Sequence, residues 1–186
     1  MSRIPALAAR LKERQPALVN EPERPRAAVA VILTPDPDSV LLIRRADRQD
    51  DRWSGQLAFP GGRWSPDDTG LLDTARRETR EEVGVELDPG TLIGALDDLA
   101  PRSSVLPPIL VRPFVFEHPS RQTLDLSPEV ALAWWLPLDT LTTPGVYGPV
   151  EFARYGTLVR TMGYRLDAGI LWGMSERILT PLVSLL

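Results

Sequence analysis

Glu78, Glu81 and Glu82 stand at spacings of three and four, so on a helix their carboxylates gather in one stripe within about a turn. Glu78 and Glu82 are like charges at i,i+4, a pairing that destabilises an isolated helix by roughly 0.2–0.5 kcal/mol. A bound divalent cation reverses that sign. Hard cations such as magnesium take oxygen ligands from a few carboxylates, from substrate phosphates and from water. The same charges would also suit a plain solvated helix face, with Arg77 and Glu81 as an i,i+4 pair.

The elements that must position these groups follow from the flanking residues. Leu72, Ala75, Thr79 and Val83 recur at helical spacing and form a second face fit to pack on a core. Asp67, Asp68 and Thr69 suit an N-cap, and Gly84 suits a left-handed stop, so the helix is expected over about Thr69 to Val83. Just ahead of it, Gly61 and Gly62 let the backbone bend and approach a ligand closely.

Gly62, Arg77-Glu78, Glu81-Glu82, Gly84 and the apolar Val85 resemble the Nudix box, G-x5-E-x7-R-E-U-x-E-E-x-G-U with U apolar. The resemblance implies a Nudix hydrolase of the α+β class. Its fold would be an α/β/α sandwich, a mixed sheet carrying the box helix and a C-terminal helix. Such an enzyme cleaves a diphosphate linked to another group, with Mg2+ or Mn2+ held by Glu78, Glu81, Glu82 and the carbonyl of Gly62. By the same resemblance Glu81 is the first choice to position or deprotonate the attacking water, and Arg77 orients Glu78 or Glu81. The chain departs from the box in three places. Gly62 lies one residue too far from Arg77, Asp68 or Thr69 stands where the first glutamate belongs, and Thr79 replaces the aliphatic residue.

The preceding stretch, LLIRRADRQDDRWSGQLAFPGG, is similar to the signature of the coenzyme A diphosphatase subgroup of that family, LL-T-x-R-[SA]-x3-R-x3-G-x3-FPGG. Leu41, Leu42, Arg45, Ala46, Gly55 and Phe59-Pro60-Gly61-Gly62 match; Ile43 replaces the threonine, Asp51 occupies the slot of the second arginine, and Arg52 follows it. The implied substrate is coenzyme A or an acyl derivative, split into 3′,5′-ADP and phosphopantetheine-type products. The rivals are another nucleotide, such as ADP-ribose, a dinucleotide or a nucleoside triphosphate, and a Nudix-fold module that binds a nucleotide without cleaving it. Arg44, Arg45 and Arg52 are candidate phosphate contacts, for which the guanidinium fork is suited. Edge-strand charges are the plain alternative for Arg44 and Arg45. Arg102 and Ser103, in a long loop, are further candidate substrate contacts. Glu129 is read as structural in preference to a further metal-facing carboxylate. Of Trp134 and Trp135, on opposite faces of a strand, one is expected in the core and the other against a base or a partner.

A length of 186 residues and a composition 43% hydrophobic and 25% charged suit one globular unit, and a net charge of -4 argues against a general nucleic-acid binder. With no cysteine there is no thiolate nucleophile and no zinc-thiolate site. The single histidine, His118, is expected in a surface loop. Residues 1–26 are expected to form a short helix, with Ile4, Leu7, Ala8 and Leu11 on one face, and a connector, ahead of a Nudix domain over residues 27–186. Strands are expected over Ala27–Leu33, Val40–Ile43, Leu92–Leu99 and Ile109–Glu117, a hairpin or loop over Tyr147–Asp167, and a helix over Ala168–Leu186. No apolar run of about 18 residues occurs, so neither a signal peptide nor a membrane span is expected, and the expected location is cytoplasmic. The apolar terminal helices would suit a homodimer.

Overall fold

The computed structural model describes residues 2–49, 51–102, 108–154 and 156–186. At its centre lies β1 (Arg26–Thr34), a near-continuous run of alanine, valine, isoleucine and leucine. Such a run suits a strand covered on both faces. β6 (Leu110–Glu117) pairs in parallel along one whole edge of β1, so the other edge is divided between two partners. β2 (Ser39–Arg45) pairs antiparallel near Leu33 and Thr34, whereas β4 (Gly61–Arg63) pairs antiparallel with Ala27, Ala28 and Val29. β3 (Leu57–Ala58) and β7 (Val130–Pro137) extend the sheet beyond β2, and β5 (Leu92–Ala95) lies outside β6. The sheet is therefore mixed.

Alternation along β1 sorts its side chains between two layers. Ala28, Ala30 and Ile32 face α2 (Leu71–Val83), which lays Leu71, Ala75 and Val83 against them. The two alanines leave room for the helix to come close. Val31 and Leu33 join the opposite core with α1 (Ile4–Glu13), α3 (Leu138–Thr142) and α4 (Met174–Val183). α1 contributes Ile4, Leu7 and Leu11, and a Cβ on Gly94 of β5 would lie 2.9 Å from the Cβ of Leu11, so this helix sits tightly on the sheet. A second sheet of three antiparallel strands, β8 (Tyr147–Arg154), β9 (Thr157–Leu166) and β10 (Gly169–Trp172), leads into α4.

Several expectations are corrected. Gly70, without a side-chain cap, precedes a helix that starts at Leu71 rather than Thr69, and Leu71 rather than Leu72 is the buried leucine. Gly84 does end that helix in the left-handed region, at φ 70°. The expected helix over Ala168–Leu186 is a strand followed by a helix. Gly169 and Gly173 take φ of 131° and 68°, which isolates Ile170, Leu171 and Trp172 to pair with β9. Strand β5 ends at Ala95, and only a bridge at Leu99 continues toward β6. His118 is buried rather than on the surface: its backbone N–H donates to the Leu33 carbonyl and its Nδ1 lies 2.6 Å from the Ser120 carbonyl. Trp134 and Trp135 do point to opposite faces, but each packs against a core cluster, and neither lines the cleft described next. No helix among the described residues is long and apolar enough to cross a membrane.

Candidate active site

The split edge of β1 opens a cleft of about 1450 Å³ between the two sheets. Its base is built by the Pro-Gly-Gly turn and α2. Gly61 adopts φ 151° with its Cα against β1, where an added Cβ would lie 2.3 Å from the Ala28 carbonyl oxygen. A Cβ on Gly62 would lie 2.4 Å from the Glu78 carboxyl carbon. The glycines thus let the backbone pass directly beneath two carboxylates of the helix. Glu82, 3% exposed, accepts a hydrogen bond from the Gly61 N–H at 2.9 Å. Burial pushes its pKa up to about 7, opposed by the Gly61 N–H and by Arg45 and aided by the charges of Glu78 and Glu129. Burial likewise raises Glu78, against the hydrogen bond from Arg77.

Arg77 organises the outer side of the helix. Its Nε and Nη2 hold the two oxygens of Asp68 at 2.7 and 3.0 Å, its Nη1 reaches Glu78 at 2.9 Å and Glu81 at 3.0 Å, and Nη2 also reaches the Arg63 carbonyl at 3.1 Å. All five N–H groups of the guanidinium are engaged. Asp68 is buried and also accepts from the Ser65 N–H and the Thr74 hydroxyl. The hydrogen bond from Arg77 holds its carboxyl well below the usual carboxylate range. Of the two residues near the place of the missing box glutamate, Asp68 is the one that pairs with Arg77, and this employment explains why it does not cap the helix.

The structure brings together some of the expected site residues and separates others. Glu78, Glu82, Gly62, Arg45 and Arg52 all line the cleft. Glu81 lies beside Arg77 with its side chain 52% exposed, outside the cleft lining. Arg44 borders a separate shallow recess with Phe152 and Trp172, its guanidinium 4.0 Å from Asp47. Arg102 is exposed beside Glu21 and away from the cleft, and Ser103 lies outside the described residues. Glu129, read from sequence as structural, does line the cleft, and Arg48 donates to it at 3.0 Å. Trp172 and Met174, from the segment mistaken for one helix, form the far wall. A tryptophan between two glycines was the signal available for them.

A buried carboxylate, Glu82, and a half-buried one, Glu78, over a glycine backbone form a hard, oxygen-rich floor that suits a divalent cation. Among the described residues, no group of three acidic or histidine side chains would enclose a metal unaided. The floor fits magnesium or manganese nonetheless, since such ions commonly take one or two carboxylates and complete their shell with substrate phosphates and water.

A NUDIX domain profile matches residues 24–155. The chain belongs to the NUDIX family. Among its relatives, an uncharacterised protein of Schizosaccharomyces pombe is 44% identical over 66% of the chain, which spans only 39% of that protein's length. The uncharacterised Nudix hydrolase NudL of Yersinia pestis is 33% identical over 86% of the chain and 78% of its own length. Solved structures agree on the fold. A MutT/Nudix family protein of Enterococcus faecalis superposes with a TM-score of 0.59 at 16% identity, covering 94% of this chain and 65% of that one. The Nudix domain of Shewanella oneidensis NrtR, solved with ADP ribose, gives 0.52 at 21% identity over 72% of this chain and 81% of that one.

Proposed function

We propose that this Nudix protein hydrolyses a diphosphate linkage in a nucleoside diphosphate derivative, with coenzyme A or an acyl-coenzyme A as the favoured substrate. The observation that carries the reaction is the pairing of half-buried Glu78 with buried Glu82 above the Gly61-Gly62 backbone, in a cleft whose other wall holds Arg45, Arg48 and Arg52. An acidic floor facing a basic wall is the charge pattern that a metal-bound polyphosphate requires. The favoured substrate rests on the match of Arg45, Ala46, Gly55 and Phe59 to Gly62 with the coenzyme A signature.

In this proposal Glu78, Glu82 and the Gly62 carbonyl hold Mg2+ or Mn2+. Bound there, the metal would neutralise phosphate charge and lower the pKa of a coordinated water. Glu81, next to Glu78 on a shared nitrogen of Arg77, is the proposed proton acceptor. Arg77 positions this pair and does not touch substrate, since all its donors are already committed. Arg52, and the edge of Arg45 not taken by other groups, face the phosphates. The ADP ribose in the NrtR structure makes a nucleoside diphosphate sugar the second reading.

The test is a mass-spectrometric screen of the purified protein, with Mg2+ or Mn2+, against coenzyme A, acetyl-coenzyme A, ADP-ribose, NADH, diadenosine polyphosphates and nucleoside triphosphates. Release of 3′,5′-ADP from coenzyme A supports the favoured substrate, and turnover of another compound reassigns the pocket while keeping the chemistry. Glu82→Gln and Glu81→Gln should each lower the rate at least about a hundredfold. Metal and nucleotide binding without turnover of any compound would replace the enzyme by a nucleotide-binding module.

A further inference from the structure

Counted back from Gly55, the second arginine of the coenzyme A signature falls on Asp51 in this chain, and the structure shows what that acid does. Its Oδ2 accepts from Arg45 Nη2 at 2.7 Å and from Arg45 Nε at 3.0 Å. Its Oδ1 accepts from the Trp53 backbone N–H at 2.9 Å, which fixes the carboxylate within its own loop. Both side chains are partly buried, 16% exposed for Asp51 and 25% for Arg45. The remaining nitrogen of Arg45, Nη1, points at Glu82 but stops 3.8 Å from its Oε1.

That distance is informative. A free arginine next to a buried carboxylate closes to about 2.7–2.9 Å and forms a two-pronged pair. Here two of the three guanidinium nitrogens are drawn to Asp51, so the third is held short of hydrogen bonding. Were Arg45 to close on Glu82, its charge would occupy the oxygen that a divalent cation needs. We propose that Asp51 is a positioning residue that holds Arg45 off Glu82 and so keeps this carboxylate available to the metal. The inference rests on the proposed role of Glu82 as a metal ligand. It also accounts for the departure from the signature: an acid here serves the metal floor through Arg45, whereas an arginine would add charge to the phosphate wall.

The test is Mn2+ affinity, measured from the electron paramagnetic resonance signal of free Mn2+, in the wild-type protein and in Glu82→Gln, Asp51→Asn, Arg45→Gln and the double variant Asp51→Asn/Arg45→Gln. Asparagine keeps an oxygen for the Trp53 N–H. Asp51→Asn should raise the Mn2+ Kd about tenfold, inside the range usual for coupled sites. Arg45→Gln should leave the Kd unchanged or lower it. In the Arg45→Gln background, the Asp51 substitution should change the Kd by less than about threefold. An equal weakening in both backgrounds would mean that Asp51 acts only as a distant negative charge, and the proposal falls. An unchanged Kd in Asp51→Asn overturns it as well. Glu82→Gln is the separate control: if it binds Mn2+ like the wild type, the metal assignment fails first and the inference with it. Should Asp51→Asn not fold, Asp51→Ser, whose hydroxyl can also accept from Trp53, is read by the same criteria.

Discussion

Replacing Asp68 by asparagine tests the central ion pair of the box helix. The side chain of Asp68 is 2% exposed and that of Arg77 24%, so the pair is largely shielded from water. Asp68 Oδ2 accepts from Arg77 Nη2, the Ser65 N–H and the Thr74 hydroxyl, while Oδ1 accepts from Arg77 Nε. An asparagine must place its NH2 on one of those two positions, and either choice sets a donor against the guanidinium. Removing one partner of a buried pair costs about 3–5 kcal/mol. Arg77 keeps Glu78, Glu81 and the Arg63 carbonyl, which argues for the lower end, about 3 kcal/mol. For a chain of this size that corresponds to a fall in Tm of about 6–12 °C. Equilibrium denaturant unfolding at pH 7 measures the loss directly. The pH dependence adds a sign. Because Arg77 holds the folded pKa of Asp68 below its ordinary 3.8, its contribution is present above that value and is lost as pH falls through the folded pKa. The gap between wild type and Asp68→Asn should therefore stay level from about pH 6 to 8 and narrow in acid. A loss under about 1 kcal/mol, or a gap that widens in acid, would refute the reasoning.

Two further outcomes follow from the same geometry. Gly62→Ala should fold, because the atoms nearest its Cβ are the movable end of Glu78, but should lose about tenfold or more in Mn2+ affinity by displacing that carboxylate. Gly61→Ala, whose Cβ would meet the Ala28 carbonyl at a φ of 151°, should yield little folded protein; equal stability of both variants by thermal melting would contradict this. In metal-free buffer, the Glu82 pKa raised by burial from 4.5 to about 7 means that the folded state binds the extra proton. Stability should fall as pH rises across that window, by at most about 3 kcal/mol, because the protonated form is favoured only in the folded protein. A Tm measured in EDTA from pH 5 to 8 should drop more in the wild type than in Glu82→Gln, and parallel curves would dismiss the buried-acid assignment.

Much of the site was legible in the chain because it is local. The spacing of Arg77, Glu78, Glu81 and Glu82 is a helical pattern, and the helix that bears them ends at Gly84 as the glycine required. The Gly61-Gly62 pair announced a close backbone approach, and both carboxylates nearest it, Glu78 and Glu82, are found there. Strands β1, β2 and β6 were visible as apolar runs because both of their faces are covered. The second sheet was only half visible. Its last strand carries the same apolar residues as a helix would, and only the two left-handed glycines distinguish them.

What the residues determined by themselves is the reaction apparatus: a helix with its acids in one register, a glycine turn ahead of it, and a family signature around both. Tertiary structure decided where each acid sits. Burial separates Glu82, 3% exposed, from the half-exposed Glu81, although one residue number divides them. The folded path of two loops decided that Asp68 holds Arg77 and that Asp51 holds Arg45, and pairing between distant segments brought Glu129, just ahead of β7, to the same cleft. The physical reason is that a carboxylate's role depends on its depth and on which cation meets it. Both are set by how loops turn back on themselves and by what packs over them, and neither is written in the spacing of neighbours.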